Sequence, residues 1–150
     1  MTTHTDDLAV HTLVHRFFRA LDLRDFSPGW TDGFLTPDAR MEAPVGTAEG
    51  AAAVRSTEEA LLRFSKTQHI ATGILTDIDA TDTGRATASW NALMTHIHPD
   101  NTLFTVGGHF SADLRSTDAG WRFTRMAVHP VWTQGEPPVL PAPEPGRREQ

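Results

Sequence analysis

A histidine opens what reads as a β-strand in "TQHIATG", residues 67–73, where a β-branched or aromatic side chain has the better propensity. His69 therefore calls for a partner. Asp22 is the second oddity, because it follows Phe18 by four residues and Val14 by eight, on the helical stripe that should face the core. An unpaired carboxylate there costs several kcal/mol, and a helix C-terminus disfavours it further. A carboxylate on a covering helix, paired with an imidazole on the strand beneath, is the usual means of fixing a histidine tautomer for acid-base work. The plainer readings are a frayed helix end with Asp22 paired to Arg19 or Arg24, and a strand histidine bonded to backbone.

Other residue types carry weaker signals. His96 and His98 form an H-x-H on one strand and so share a face, a spacing that also suits metal ligation with His109 or His129 from neighbouring strands. No carboxylate stands at a matching spacing, and no metal or other cofactor is expected. His11 and His15 are four apart on a helix, without the glutamate or third ligand that would make a zinc motif. Lys66 is the sole lysine and the sole candidate for a Schiff base. Trp90, Trp121, Trp132, Phe110 and Phe123 read as core or interface, with one or two, Trp90 and Phe110 foremost, lining a pocket.

The elements that must position these groups follow from periodicity. Residues 6–22 show the three-and-four spacing of one helical face in Leu8, His11, Val14, Phe18 and Leu21, capped by Thr5 or Asp6. Pro28 and Gly29 break it, a short helix or turn spans about 30–35, and "TPDARMEAP" reads as a short strand ended by Pro44. A second helix runs over about 50–65, with a break possible at the Ser56 to Glu59 run. From His69 onward four long strands, "HIATGILTDIDA", "RATASWNALMTHIH", "TLFTVGGHFSADLR" and "WRFTRMAVHPVW", are joined by short turns rich in Asp, Asn and Gly. Helices first and an antiparallel meander second define an α+β layout with the helices on one face of the sheet. Gly107 and Gly108 predict a bulge or bend that lets the sheet curl. One domain over residues 1–135 and a proline-rich, extended or disordered tail over 136–150 are expected.

Composition narrows the function classes. The chain has 150 residues, 39% of them hydrophobic and 21% charged, as in a globular domain. A net charge of −6 at pH 7 argues against a nucleic-acid partner. There is no cysteine, hence no disulfide or thiolate chemistry, and no tyrosine. No apolar stretch approaches the ~20 residues of a spanning helix, so no membrane partner is expected and the cytoplasm is the default location.

With Asp22, His69, His96 and the curled sheet in view, the sequence resembles the SnoaL-like group of the nuclear transport factor 2-like superfamily, and within it the scytalone dehydratase-like branch. The likeness runs from about Leu21 to Glu136 and includes "LDLRDF", "TQH", "GGHFSADL" and "GWRF". It implies a cone-shaped α+β barrel whose N-terminal helices cover a strongly curved antiparallel sheet. It also implies that Asp22, His69 and His96 occupy the family's catalytic positions, and that Ser111 and Asp113 occupy substrate-contacting ones. Two tyrosines that hold a ketone-polarising water in the dehydratase have no equivalent, since their positions fall at Leu21 and near Ala43. The expectation is a cofactor-independent dehydratase, cyclase or isomerase for a small apolar, carbonyl-bearing metabolite of polyketide type, with His69 as base and His96 as acid or electrophile. The alternatives are a non-catalytic ligand-binding or assembly protein, and an epoxide hydrolase using Asn91 and Arg125 to hold a water. The apolar outer strand face points to a homodimer or homotrimer.

Overall fold

The computed structural model describes residues 4–139. Helix α1 (His4–Leu23) is followed by strands β1 (Leu35–Ala43) and β2 (Gly46–Glu49), helix α2 (Gly50–Leu62), and strands β3 (Lys66–Ile78), β4 (Arg85–Ile97), β5 (Leu103–Thr117) and β6 (Gly120–Gly135). One curved, open sheet in the order β2-β1-β6-β5-β4-β3 carries all six strands. The meander from β3 to β6 is antiparallel, as its short turns require. The expected antiparallel sheet is corrected in one place: β1 joins β6 in parallel, so the sheet is mixed. Parallel pairing needs a crossover, and everything from β2 to β5 intervenes between these two strands.

Other local readings shift as well. Helix α2 runs without a break through Ser56, because Ala-rich sequence and the Thr57 hydroxyl, bonded to the Ala53 carbonyl, keep the turn continuous. Residues 30–34 form successive turns, one of the two readings open for them, and β2 was not foreseen because four residues give too little periodicity. Strand β3 begins at Lys66, three residues before His69, which places Thr67 within it. Glu136 to Val139 carry no regular structure, and the rest of the expected tail lies outside the described residues.

The core explains how α1 is held. Val10, Leu13, Val14, Phe17, Phe18 and Leu21 form its buried face, against Trp90, Phe110, Leu114, Phe123 and Met126 of the sheet. Burying each large side chain of this kind contributes roughly 1.5–3 kcal/mol. Phe18 meets Trp90 and Phe110 edge-on, while Trp90 and Phe110 stack with ring centroids 5.2 Å apart. The helix ends at Arg24, which takes the left-handed conformation (φ 59°) that usually selects glycine at this position. Its guanidinium donates to the Leu61 carbonyl, tying the end of α1 to the end of α2. Sheet curvature comes from register shifts at Gly107/Gly108, at Asp113/Leu114 and between Thr72 and Leu75. At Gly108 a Cβ would collide with the His129 backbone carbonyl, and at Gly107 with the Trp132 ring, so a side chain at the bend would force its neighbours aside.

Candidate active site

The last turn of α1 lies over the start of β3, and two side chains of that strand, Thr67 and His69, rise toward it because they are two residues apart. The Asp22 carboxylate meets both. Its Oδ1 is 2.6 Å from His69 Nδ1 and accepts the Thr67 hydroxyl at 3.0 Å, while Oδ2 accepts the His69 backbone N–H at 2.9 Å. Burial alone pushes the Asp22 carboxyl upward, but the hydrogen bonds from the His69 ring, the His69 N–H and Thr67 together outweigh it and hold the pKa below its ordinary value. Asp22 is therefore a carboxylate at neutral pH. An acceptor-only carboxylate obliges Nδ1 to carry the hydrogen, so Nε2 of neutral His69 holds a free lone pair.

His69 separates two spaces. On the inner side is a cavity of about 440 Å³, walled by Phe17, Leu21, Met41, Met94, Phe110 and Met126 and closed toward α2 by Ser56, Thr57 and Ala60. On the outer side a groove reaches the carboxylate past His15, Arg19 and Gln68. The imidazole is only 5% exposed and Asp22 19%, so the dyad stands between the apolar cavity and the outer groove.

His96 shares the inner face but does not line the cavity. Its ring lies T-shaped to His69 with centroids 5.9 Å apart and is packed against Phe64 and Phe104. Nδ1 donates to the Phe104 carbonyl at 3.0 Å. Burial is the largest influence and lowers its pKa, so the ring is neutral, with a bare Nε2 that accepts rather than donates. His98 packs against the same Phe64 ring, with its Nε2 bonded to the Glu136 carbonyl.

The remaining sequence candidates divide by strand parity. Phe110 lines the cavity, whereas Trp90 stacks behind it, 2% exposed. Asn91, Ser111 and Asp113 lie on the opposite face, because each alternates with a buried neighbour: Trp90 and Ala92, Phe110 and Ala112, Ala112 and Leu114. Ser111 contacts His129 Nε2 at 3.2 Å, and Asp113 accepts from Arg125 at 2.8 Å. Asn91 and Arg125, which the hydrolase alternative needs beside a carboxylate in the pocket, are thus not brought to the cavity. Among the described residues no group of three or more His, Asp or Glu side chains is placed to hold a metal ion, and no helix is long and apolar enough to cross a membrane. Sequence reasoning passed over Thr67, whose signal was the T-x-H spacing, and the small residues of α2 that leave the cavity open.

A curved open sheet covered by an amphipathic helix is the arrangement of a nuclear transport factor 2-like fold. The chain belongs to the SnoaL-like domain family, which matches residues 2–127. No curated protein matches it in sequence. Among solved structures it is similar to a candidate aromatic ring hydroxylase from Novosphingobium aromaticivorans (TM-score 0.80, 20% identity, 91% of this chain and 96% of that one). It is also similar to a candidate scytalone dehydratase from the same organism (TM-score 0.78, 19% identity, 97% and 96%). A third similar structure is a type 2 hexachlorocyclohexane dehydrochlorinase, LinA (TM-score 0.73, 15% identity, 95% and 99%).

Proposed function

We propose that the protein is a cofactor-independent acid-base enzyme that eliminates or isomerises a small, mostly apolar molecule, with His69 as general base and Asp22 as the group that orients it. The observation that carries this is the His69 Nδ1 contact to Asp22 at 2.6 Å, at the wall of the apolar cavity. In the dehydration we favour, Nε2 takes a proton from a carbon acidified by a neighbouring carbonyl, the C–H electron pair forms the new double bond, and the C–O bond to the adjacent hydroxyl breaks. The same nitrogen, now N–H, returns the proton to the departing oxygen, which leaves as water. This assigns to His69 the acid role that the sequence gave to His96, because a neutral His96 with Nε2 bare and outside the cavity lining has no proton to offer. A carbonyl-bearing, polyketide-like intermediate fits the apolar walls. Two of the similar structures are named for eliminations, of water and of hydrogen chloride, which supports the reaction class.

The test is turnover of a panel of apolar β-hydroxy ketones, followed by the ultraviolet absorbance of the conjugated product. Asp22→Asn and His69→Ala should each abolish it, and full turnover in both would overturn the assignment. Ligand binding with no turnover in the unaltered protein would instead favour the carrier alternative. We further place self-association on the outer sheet face, where Ile70, Leu93, Val131 and Trp132 are exposed.

A further inference from the structure

The bonding around Asp22 is more than a dyad. We infer that Thr67 is a positioning residue of the site, which fixes the Asp22 carboxylate and sets how strongly it pulls on the His69 ring; this rests on the acid-base reading of the same site. The argument starts from parity: T-x-H on β3 turns both side chains to α1, where a single aspartate must serve both. Oδ1 receives the Thr67 hydroxyl and His69 Nδ1, and Oδ2 receives the His69 N–H. With a donor on each oxygen and two on one of them, the carboxylate has no freedom to rotate, so its aim at Nδ1 is set before any substrate arrives.

The hydroxyl also shares the charge of Oδ1. Without it that oxygen bears on the imidazole alone, the imidazolium is better stabilised, and the proton is held harder when it must be returned. Thr67 is 9% exposed and takes no part in lining the apolar cavity, so its influence on the reaction passes through Asp22. The other titratable or charged groups near the ring are His15 and Arg19 of α1, in the outer groove, and His96 of β4. Glu42 of β1 stands at the cavity lining, already bonded to Arg40 and Arg125. From β5 the neighbour is Phe110, which has no charge. The hydroxyl of Thr67 is the one side-chain donor besides His69 recorded on this carboxylate among the described residues.

The experiment compares Thr67→Val, which keeps shape and loses the donor, with Thr67→Ser, which keeps the donor. Losing one hydrogen-bond donor to an ionised carboxylate should cost on the order of tenfold in rate. Thr67→Val should lower kcat by about that factor with KM unchanged, and move the acid limb of the pH-rate profile several tenths of a pH unit upward. Thr67→Ser should stay within about twofold of the parent. Independently of any substrate, the His69 ring signals in nitrogen-15 NMR should titrate at higher pH in Thr67→Val than in the parent and in Thr67→Ser. A Thr67→Val protein that merely melts earlier, with the NMR titration unmoved, would overturn the inference. If no substrate in the panel turns over, the proposed reaction fails while the NMR comparison still decides the role of Thr67.

Discussion

The two faces of the sheet hold polar groups under opposite regimes. On the inner face those of the site are few and paired: Asp22 with Thr67 and His69, and His96 with the Phe104 carbonyl. On the outer face they are many and settle their charges among themselves. A ladder of ion pairs crosses four strands there and touches the cavity edge at Glu42, from Glu49 to Arg40 (3.2 Å), Arg40 to Glu42 (3.0 Å), Glu42 to Arg125 (3.5 Å) and Arg125 to Asp113 (2.8 Å). His109 and His129 stack beside it, centroids 4.7 Å apart. Desolvation makes the difference matter: an inner-face group left without its partner is costly, whereas outer-face groups fall back on water. Chemistry-bearing residue types are therefore commoner outside, and functional arrangement is concentrated inside.

That contrast can be broken most sharply at the dyad. General acid-base catalysis contributes about 10²–10⁴-fold, so His69→Ala should lose turnover by that order, while His129→Ala on the outer face leaves kcat within about twofold; steady-state kinetics on one substrate compares them. A smaller effect is expected from filling the cavity. Ala60→Trp, on the α2 wall, should weaken binding of apolar ligands at least about tenfold, the scale of a 1.4 kcal/mol contact loss, with the Asp22 and His69 NMR signals unchanged.

The inner face should also carry the pH dependence of stability. His96 titrates below its ordinary value of 6.5 in the folded protein because burial disfavours its charged form. The unfolded chain then binds the proton more readily, so the stability tied to neutral His96 is complete above about pH 6.5 and is lost as pH falls below it. Thermal melts between pH 7 and 5 should show this slope, and His96→Gln, which keeps a donor for the Phe104 carbonyl, should flatten it. Asp22 behaves likewise at lower pH: its depressed pKa stabilises the fold above the ordinary 3.8 and that contribution disappears as pH falls through the folded value. The difference in melting temperature between the parent and Asp22→Asn should accordingly shrink in strong acid. The smallest effect belongs to the ladder. Asp113 is 46% exposed and Arg125 28%, so Asp113→Ala should cost about 1 kcal/mol or less in denaturant unfolding and leave kcat unchanged.

Much of this was legible in the chain. Two long amphipathic or Ala-rich segments followed by four alternating runs with tight turns specify helices over an antiparallel meander, since period and turn chemistry are local properties. The pairing of Asp22 with His69 was legible too, as two residues each misplaced for its own element and each explained by the other. The parity of β5 was equally open to reading: if Phe110, Ala112 and Leu114 face the core, Ser111 and Asp113 cannot. Resemblance to other sequences placed those two in the pocket, and alternation along the strand places them outside it.

What sequence alone determined is thus the set of elements and the face each side chain takes along its own strand or helix, because both follow from local backbone geometry. Tertiary structure decided the rest. It set β1 parallel to β6, emptied the space between α2 and the sheet, left His96 behind the cavity rather than in it, and gave Thr67 to Asp22. Each of these depends on groups from different elements meeting at distances of a few ångströms, Asp22 and Thr67 across 45 residues among them, and such meetings are set by how whole layers pack, which no local spacing encodes.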